Sequence, residues 1–211
     1  MDTVTQFPGL RTAGFLLLAT VIVFMIGAWA AVYFRQWPFP PDALGKLQII
    51  ASDPVGWPAQ AILLPAAMAV TAVVFAGLTG LLPAPWSRWL ALVATVLMAV
   101  GFLLWLPISA YRLQLGANAA EMIRTYDPSA PPVVMATSPW LFWSHTFCVL
   151  GAIGLMGVAL ALAGALPLLG WIVAGLAVTG ALTGLFIMHD WPPFMSYVIA
   201  LVLAVGLINT G

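Results

Sequence analysis

Six apolar runs, each near the length needed to cross a bilayer, leave this chain few ways to fold. They cover residues 12–34, 57–82, 86–110, 139–164, 168–188 and 193–208. A hydrocarbon core of about 30 Å is crossed by about 20 helical residues, so the last run is the shortest candidate. The six basic and six acidic side chains all fall outside these runs or at their edges. That is the distribution expected where a charge at the bilayer centre costs at least ~2.5–3.5 kcal/mol.

Composition agrees: 64% of residues are hydrophobic and 6% charged, against about 45–50% and about 25% in soluble domains. The expected fold is therefore all-α, a single transmembrane domain over residues 1–211, with six membrane helices and two amphipathic interfacial loop helices on one face. Zero net charge and the lack of a basic cluster argue against nucleic acid. The single cysteine cannot form an internal disulfide. The first run is longer than a secretory apolar core and no small-residue cleavage site follows it, so it is expected to be retained as a membrane helix.

The connections alternate. "PAP" and "ALPLL" make tight turns on the side of the N-terminus, whereas residues 35–56 and 111–138 make long connections on the other side, joined there by the short "HDWPP". Trp37, Trp57, Trp140, Trp143 and Trp191 gather on that second side, as tryptophan does at headgroup depth. In "DALGKLQIIAS" Leu44, Leu47 and Ile50 form a stripe, and in "ANAAEMIRTYDP" Ala119, Met122, Ile123 and Tyr126 form another. Such stripes lie in the interface or cap a bundle. Each centre ends in Asp-Pro, at Asp53–Pro54 and Asp127–Pro128, where proline disfavours helix in the residue before it. Tyr33 with Arg35, and Tyr111 with Arg112, hint at a duplicated hairpin.

Arg11 and Arg88 mark the turn side, and Arg35, Lys46, Arg112 and Arg124 the long-connection side. Counting cations alone would put the long connections inside; their four acids, tryptophans and amphipathic centres oppose this. Both termini are expected to be cytoplasmic, in an inner (cytoplasmic) membrane.

Four segments, "RTAGFLLL", "DALGKLQIIASDP", "SRWLALVATVLMAVG" and "ALAGALPLLGWIVAGLAVTG", resemble an uncharacterised family of six-helix bacterial multi-pass membrane proteins. The resemblance implies a multi-pass bundle with its N-terminus inside, and brings no activity or catalytic residue. The turn between the fourth and fifth runs lacks the arginine of that pattern.

In "SPWLFWSHTFCVLG", His145 and Cys148 share one helix face. His145 lies 22 residues before Pro167 and His189 lies 22 after it, so two antiparallel helices bring both imidazoles to nearly equal depth. With Asp190 they form a candidate metal set: His145, Cys148, His189 and Asp190. Imidazole and thiolate suit zinc or copper, and nearby methionines favour Cu(I). A haem between the two histidines would look to Arg35 or Arg112 for its propionates. Proton handling is a third use of an intramembrane ionisable group. The stronger reading is structural: a neutral histidine bonded to a carbonyl, Ser144 or water, and a cysteine acting as a small hydrophobe.

Arg35, Asp53, Arg112, Glu121, Arg124 and Asp127 form a candidate polar cluster in the long connections, expected to act chiefly through salt bridges between the two caps. Gly151, Gly154, Gly157, Gly180 and Gly184 are expected to let the fourth and fifth helices approach closely, with homo-oligomerisation as the alternative use. Pro65 and Pro107 are expected to kink their helices. No phosphate loop, H-E-x-x-H or nucleophile elbow is present, so no catalytic residue is assigned. The leading expectation is a binding or accessory module presenting a Trp-rich capped face to membrane lipid, a lipid-like ligand or a partner membrane protein. The alternatives are a metal or haem redox protein and a small-molecule transporter, the latter lacking intramembrane charge.

Overall fold

The computed structural model describes residues 9–36, 40, 42–127 and 138–210. Trp37, Pro128 and the side chain of Tyr33, which enter the sequence expectations, lie outside the described residues. The helices are α1 (Leu10–Ala30), α2 (Val32–Arg35), α3 (Ala43–Ala51), α4 (Gly56–Leu81), α5 (Pro85–Arg124), α6 (Pro139–Leu162), α7 (Leu169–Thr183) and α8 (Pro193–Ile208). A π-helical turn, Gly184–Met188, continues α7.

Proline sits in the first turn of α5, α6 and α8, where its missing N–H would have had no helical partner. The α6–α7 turn closes through Gly164 at φ 75°, with Gly164 N–H donating to Ala161 O and Ala165 N–H donating to Leu160 O. That pairing satisfies the last carbonyls of α6 and needs a residue that accepts positive φ.

Five helices are long and apolar enough to cross a membrane: α1, α4, α5, α6, and α7 with its π-helical continuation. The sixth run forms α8, whose 16 residues measure roughly 24 Å at about 1.5 Å per residue.

Two boundaries differ from the sequence expectation. The first run breaks at Ala31, whose ψ of 128° leaves the helix. The third run continues to Arg124 as one helix of 40 residues, roughly 60 Å at about 1.5 Å per residue. The expected second loop helix is therefore the distal end of α5. Between Ala110 and Arg124 no proline intervenes, and Leu, Gln, Ala, Glu and Met favour continued helix.

Helices α1, α4, α5, α6 and α8 form a closed ring of contacts, and α7 lies against α6 and α8. Polarity is inverted relative to a soluble bundle. Phe15, Ile26, Val73, Leu103, Val178 and Ile187 are exposed, while Thr20, Gln60, Thr71, Ser109, His145 and Ser196 are buried. An exterior of this kind is at its lowest free energy in hydrocarbon, and the chain is an integral membrane protein on that evidence.

One interior clamp joins three helices. Tyr197 of α8 stacks on Phe24 of α1 with centroids 3.7 Å apart, and its hydroxyl lies 3.1 Å from Thr71 Oγ1 of α4. Thr71 Oγ1 is in turn 3.3 Å from Thr20 Oγ1.

The turn end is fixed by close approaches. A side chain on Gly14 would meet Leu207 and Ile208, and one on Gly9 would meet Leu81, so the start of α1, the end of α8 and the α4–α5 turn share that end. At the other end α3 lies on the extension of α5. Leu47, Ile50, Trp57, Leu115 and Ala119 make a second small core there, with Met122 and Ile123 against it. The two amphipathic stripes cap the bundle by packing on each other.

The glycine expectation divides. Gly154 and Gly157 face Ala177, Gly170 and Val173 of α7, so this part of the α6–α7 approach is intramolecular. Gly151 faces Leu97 of α5, and Gly180 and Gly184 accommodate the indole of Trp191 rather than α6. A Cβ at position 170 would collide with the Gly157 carbonyl, whereas one at Gly175 would meet open space. Gly170→Ala is therefore expected to destabilise the protein by about 1–3 kcal/mol, and Gly175→Ala to leave it unchanged. Thermal unfolding in detergent compares the two, and equal midpoints would contradict this packing.

Candidate functional site

Along α5, residues 101, 105, 109, 112 and 116 recur at spacings of four, four, three and four, and so share one face. Gly101 permits α6 to approach: a side chain there would meet Val149 and Cys148. Gly116 does the same for Trp57 of α4. Between them this face carries Trp105, Ser109 and Arg112 towards α4 and α6.

His145 enters from α6. It is 2% exposed, and its Nδ1 lies 2.8 Å from Gly101 O. A carbonyl only accepts, so Nδ1 carries the hydrogen. The imidazole also packs on the Trp105 indole, with centroids 4.5 Å apart. The guanidinium of Arg112 lies over the same indole at 5.3 Å, within the range of a cation–π attraction. Arg112 Nη1 donates to Gln60 Oε1 at 2.9 Å, and Gln60 Nε2 donates to Ala28 O at 3.2 Å. Trp57 Nε1 donates to the Arg112 carbonyl at 2.7 Å. A polar path thus runs from the capped end inward, from Gln60 and Arg112 to Trp105 and His145.

Two atoms on this path stand out. Trp105 Nε1 and Ser109 Oγ are buried and have no hydrogen-bond partner among the described residues. Leaving such a group dry and unpaired costs about 1–3 kcal/mol, so most buried polar groups are satisfied.

The expected metal set is not assembled in this structure. Among the described residues no three His, Cys, Asp or Glu side chains gather to hold an ion. His145 turns to α5, and Cys148 is a half-buried free thiol beside Gly101. His189 is exposed in a left-handed conformation at φ 51°, just past the π-helical turn. Asp190 Oδ1 accepts from the Trp191 amide at 2.7 Å. His145 is held by the Gly101 carbonyl of α5, whereas His189 stands past the end of the α7 continuation.

The described residues of the expected loop cluster take several kinds of partner. Asp53 serves the backbone: Oδ2 accepts from Val32 N–H at 2.7 Å and Oδ1 from Gly56 N–H at 2.8 Å. One carboxylate thereby caps the start of α2 and the start of α4. Arg35 donates to Ala30 O, and Glu121 pairs with Arg124 on the exposed side of α5. Arg112 joins the buried path. Asp127 is described just beyond the α5 extension and makes an interaction there.

The tryptophan rim is also revised. Trp57 and Trp191 point inward at 5% and 4% exposure, with Trp191 Nε1 donating to Ser196 Oγ, while Trp140 is exposed and Trp143 half-buried. Trp86, Trp89 and Trp171 are exposed along helices that start at the turn end.

Sequence reasoning passed over Gln60, Trp105 and Ser109. The available signal was the lone amide side chain in the second run, and the Trp–Ser–Arg spacing on one helix face.

No protein-family model, characterised protein or solved structure matches this chain. The resemblance drawn from its motifs thus rests on those motifs alone.

Asp53→Ala removes the acceptors of two N–H groups at once. At about 0.5–2 kcal/mol for each lost cap, a destabilisation of about 2–3 kcal/mol is expected, read from unfolding in detergent. Asp53→Asn, which keeps one carbonyl oxygen, should fall between. A wild-type midpoint in Asp53→Ala would remove this carboxylate from its structural role.

Proposed function

We propose that this protein is a six-span membrane binding module that holds a lipid-like ligand at its capped end. The observation that supports this reading is the inward polar path of Gln60, Arg112, Trp105 and Ser109 beneath the cap made by α3 and the α5 extension. A bundle that only had to be stable would gain by making these positions apolar. Membrane binding sites are commonly apolar pockets with a few placed polar groups. In this reading the ligand-facing groups point into the bundle, and the exposed tryptophans anchor it at the headgroups.

α8 completes the sixth crossing, its modest length accommodated by local thinning of the bilayer. Both termini face the cytoplasm of a bacterial inner membrane, and the capped end faces away from it.

Two measurements test this. Protein purified in mild detergent should retain lipid-like material in native mass spectra, and Gln60→Ala together with Arg112→Gln should reduce it several-fold. Retention no greater than that of an unrelated bundle of equal size would end the proposal. For topology, single cysteines at Trp86 and Leu168 in a Cys148→Ser background should react from the same side. Labelling from opposite sides would refute six crossings.

A further inference from the structure

We infer that the turn end of the bundle is a binding surface for anionic phospholipid, with Arg11 and Arg88 taking the lipid phosphates. This surface lies at the opposite end from the cap and goes beyond the binding-module reading.

Charge is divided unevenly between the two ends. Arg11 and Arg88 stand at the turn end, where no acid is found among the described residues. At the capped end the four basic side chains are outnumbered by Asp42, Asp53, Glu121, Asp127 and Asp190. Arg124 is paired there with Glu121, and Arg112 turns inward to Gln60. The turn end is therefore the cationic end of the molecule.

Its two guanidiniums belong to adjoining elements, since a side chain on Gly9 would meet Leu81 and Arg88 holds the next carbonyl, Leu82 O. Arg88 donates to that oxygen through Nε at 3.1 Å and Nη2 at 2.8 Å. Two donors on one edge fix the planar group and leave its Nη1 side turned away from the carbonyl. Arg11, exposed in the first turn of α1, lies over the outward-facing Phe15 ring at 5.8 Å. That contact draws the cation along the lipid-facing side of the helix.

Tryptophans mark the depth. Trp86, Trp89 and Trp171 are 81%, 63% and 51% exposed, and each lies in the first turns of α5 or α7. Exposed indoles at a helix end settle among headgroups, so both arginines stand at the level of lipid phosphates. A guanidinium matches phosphate geometry and bonds it with charge assistance. A free anion would gain only an attraction that salt screens at an exposed site. A lipid is already held at this depth by its chains, which meet the exposed Phe15, Trp89 and Leu92.

Native mass spectrometry titrations with dioleoylphosphatidylglycerol, dioleoylphosphatidylcholine and inorganic phosphate test the assignment. Wild-type protein should prefer phosphatidylglycerol. Arg11→Gln and Arg88→Gln should each weaken it about fivefold, the attraction of one cation to an anionic lipid surface, and leave phosphatidylcholine binding unchanged. Arg35→Gln, at the capped end, should bind phosphatidylglycerol as the wild type does. Arg88 also holds Leu82 O, so Arg11→Gln decides the question if Arg88→Gln fails to fold.

Unchanged phosphatidylglycerol affinity in Arg11→Gln would overturn the inference, as would an equal loss in Arg35→Gln. Equal wild-type affinity for phosphatidylcholine would overturn the anionic headgroup. Displacement of the lipid by millimolar inorganic phosphate would overturn the lipid source. The variant carrying Gln60→Ala and Arg112→Gln should keep the phosphatidylglycerol preference, so failure of the cap reading leaves this surface standing, and failure here leaves the cap reading standing.

Discussion

In hydrocarbon, a backbone N–H or C=O that leaves its helix must find another protein group. That constraint organises this molecule. α1 breaks at Ala31, and the groups released there are met one by one: Val32 N–H by Asp53, Ala28 O by Gln60 and Ala30 O by Arg35. At the turn end, Leu82 O is met by Arg88 through both Nε and Nη2. Several of the few strongly polar side chains are thus committed to the backbone before any functional role is considered. Asp53 is the clearest case, since its single carboxylate joins the two helices that flank the first long connection.

The same economy explains the interior. α6 is the most enclosed of the long helices, with α5, α7 and α8 around it. Small residues make that possible: Gly154 and Gly157 admit α7, while Gly101 of α5 admits Val149 and brings His145 within reach of its carbonyl. Without a hydrophobic drive between helices in lipid, close packing and interhelical hydrogen bonds hold the bundle. The Tyr197–Thr71–Thr20 clamp does for α1, α4 and α8 what the glycines do for α6 and α7. Against this background of satisfied groups, the unpaired atoms of Trp105 and Ser109 are conspicuous.

The length of α5 links the site to the outside. Its 40 residues carry the membrane crossing and the arm on which α3 rests, so Arg112 and Leu115 belong to one rigid element. Trp57 ties α4 to that element through the Arg112 carbonyl and fits against Gly116.

What the sequence determined by itself was the solvent and the segmentation. Apolar runs and displaced charges specify lipid-facing helices whatever their neighbours, and the prolines at 85, 139 and 193 mark helix starts because the missing N–H acts locally. The amphipathic stripe at Leu47 and Ile50 was legible for the same reason. Rotation was not legible. When both faces of a helix are apolar, no periodic contrast tells which side turns inward. Only tertiary packing could send His145 to Gly101, leave His189 exposed and bury Trp57 and Trp191. Nor could spacing reveal that Asp53 would serve two backbone amides, since one of them lies 21 residues away. The path from Gln60 to Trp105 exists only because α4 and α5 meet at the faces that carry those residues, and that meeting was decided by the shapes of Gly116, Trp57 and Gly101 in three dimensions.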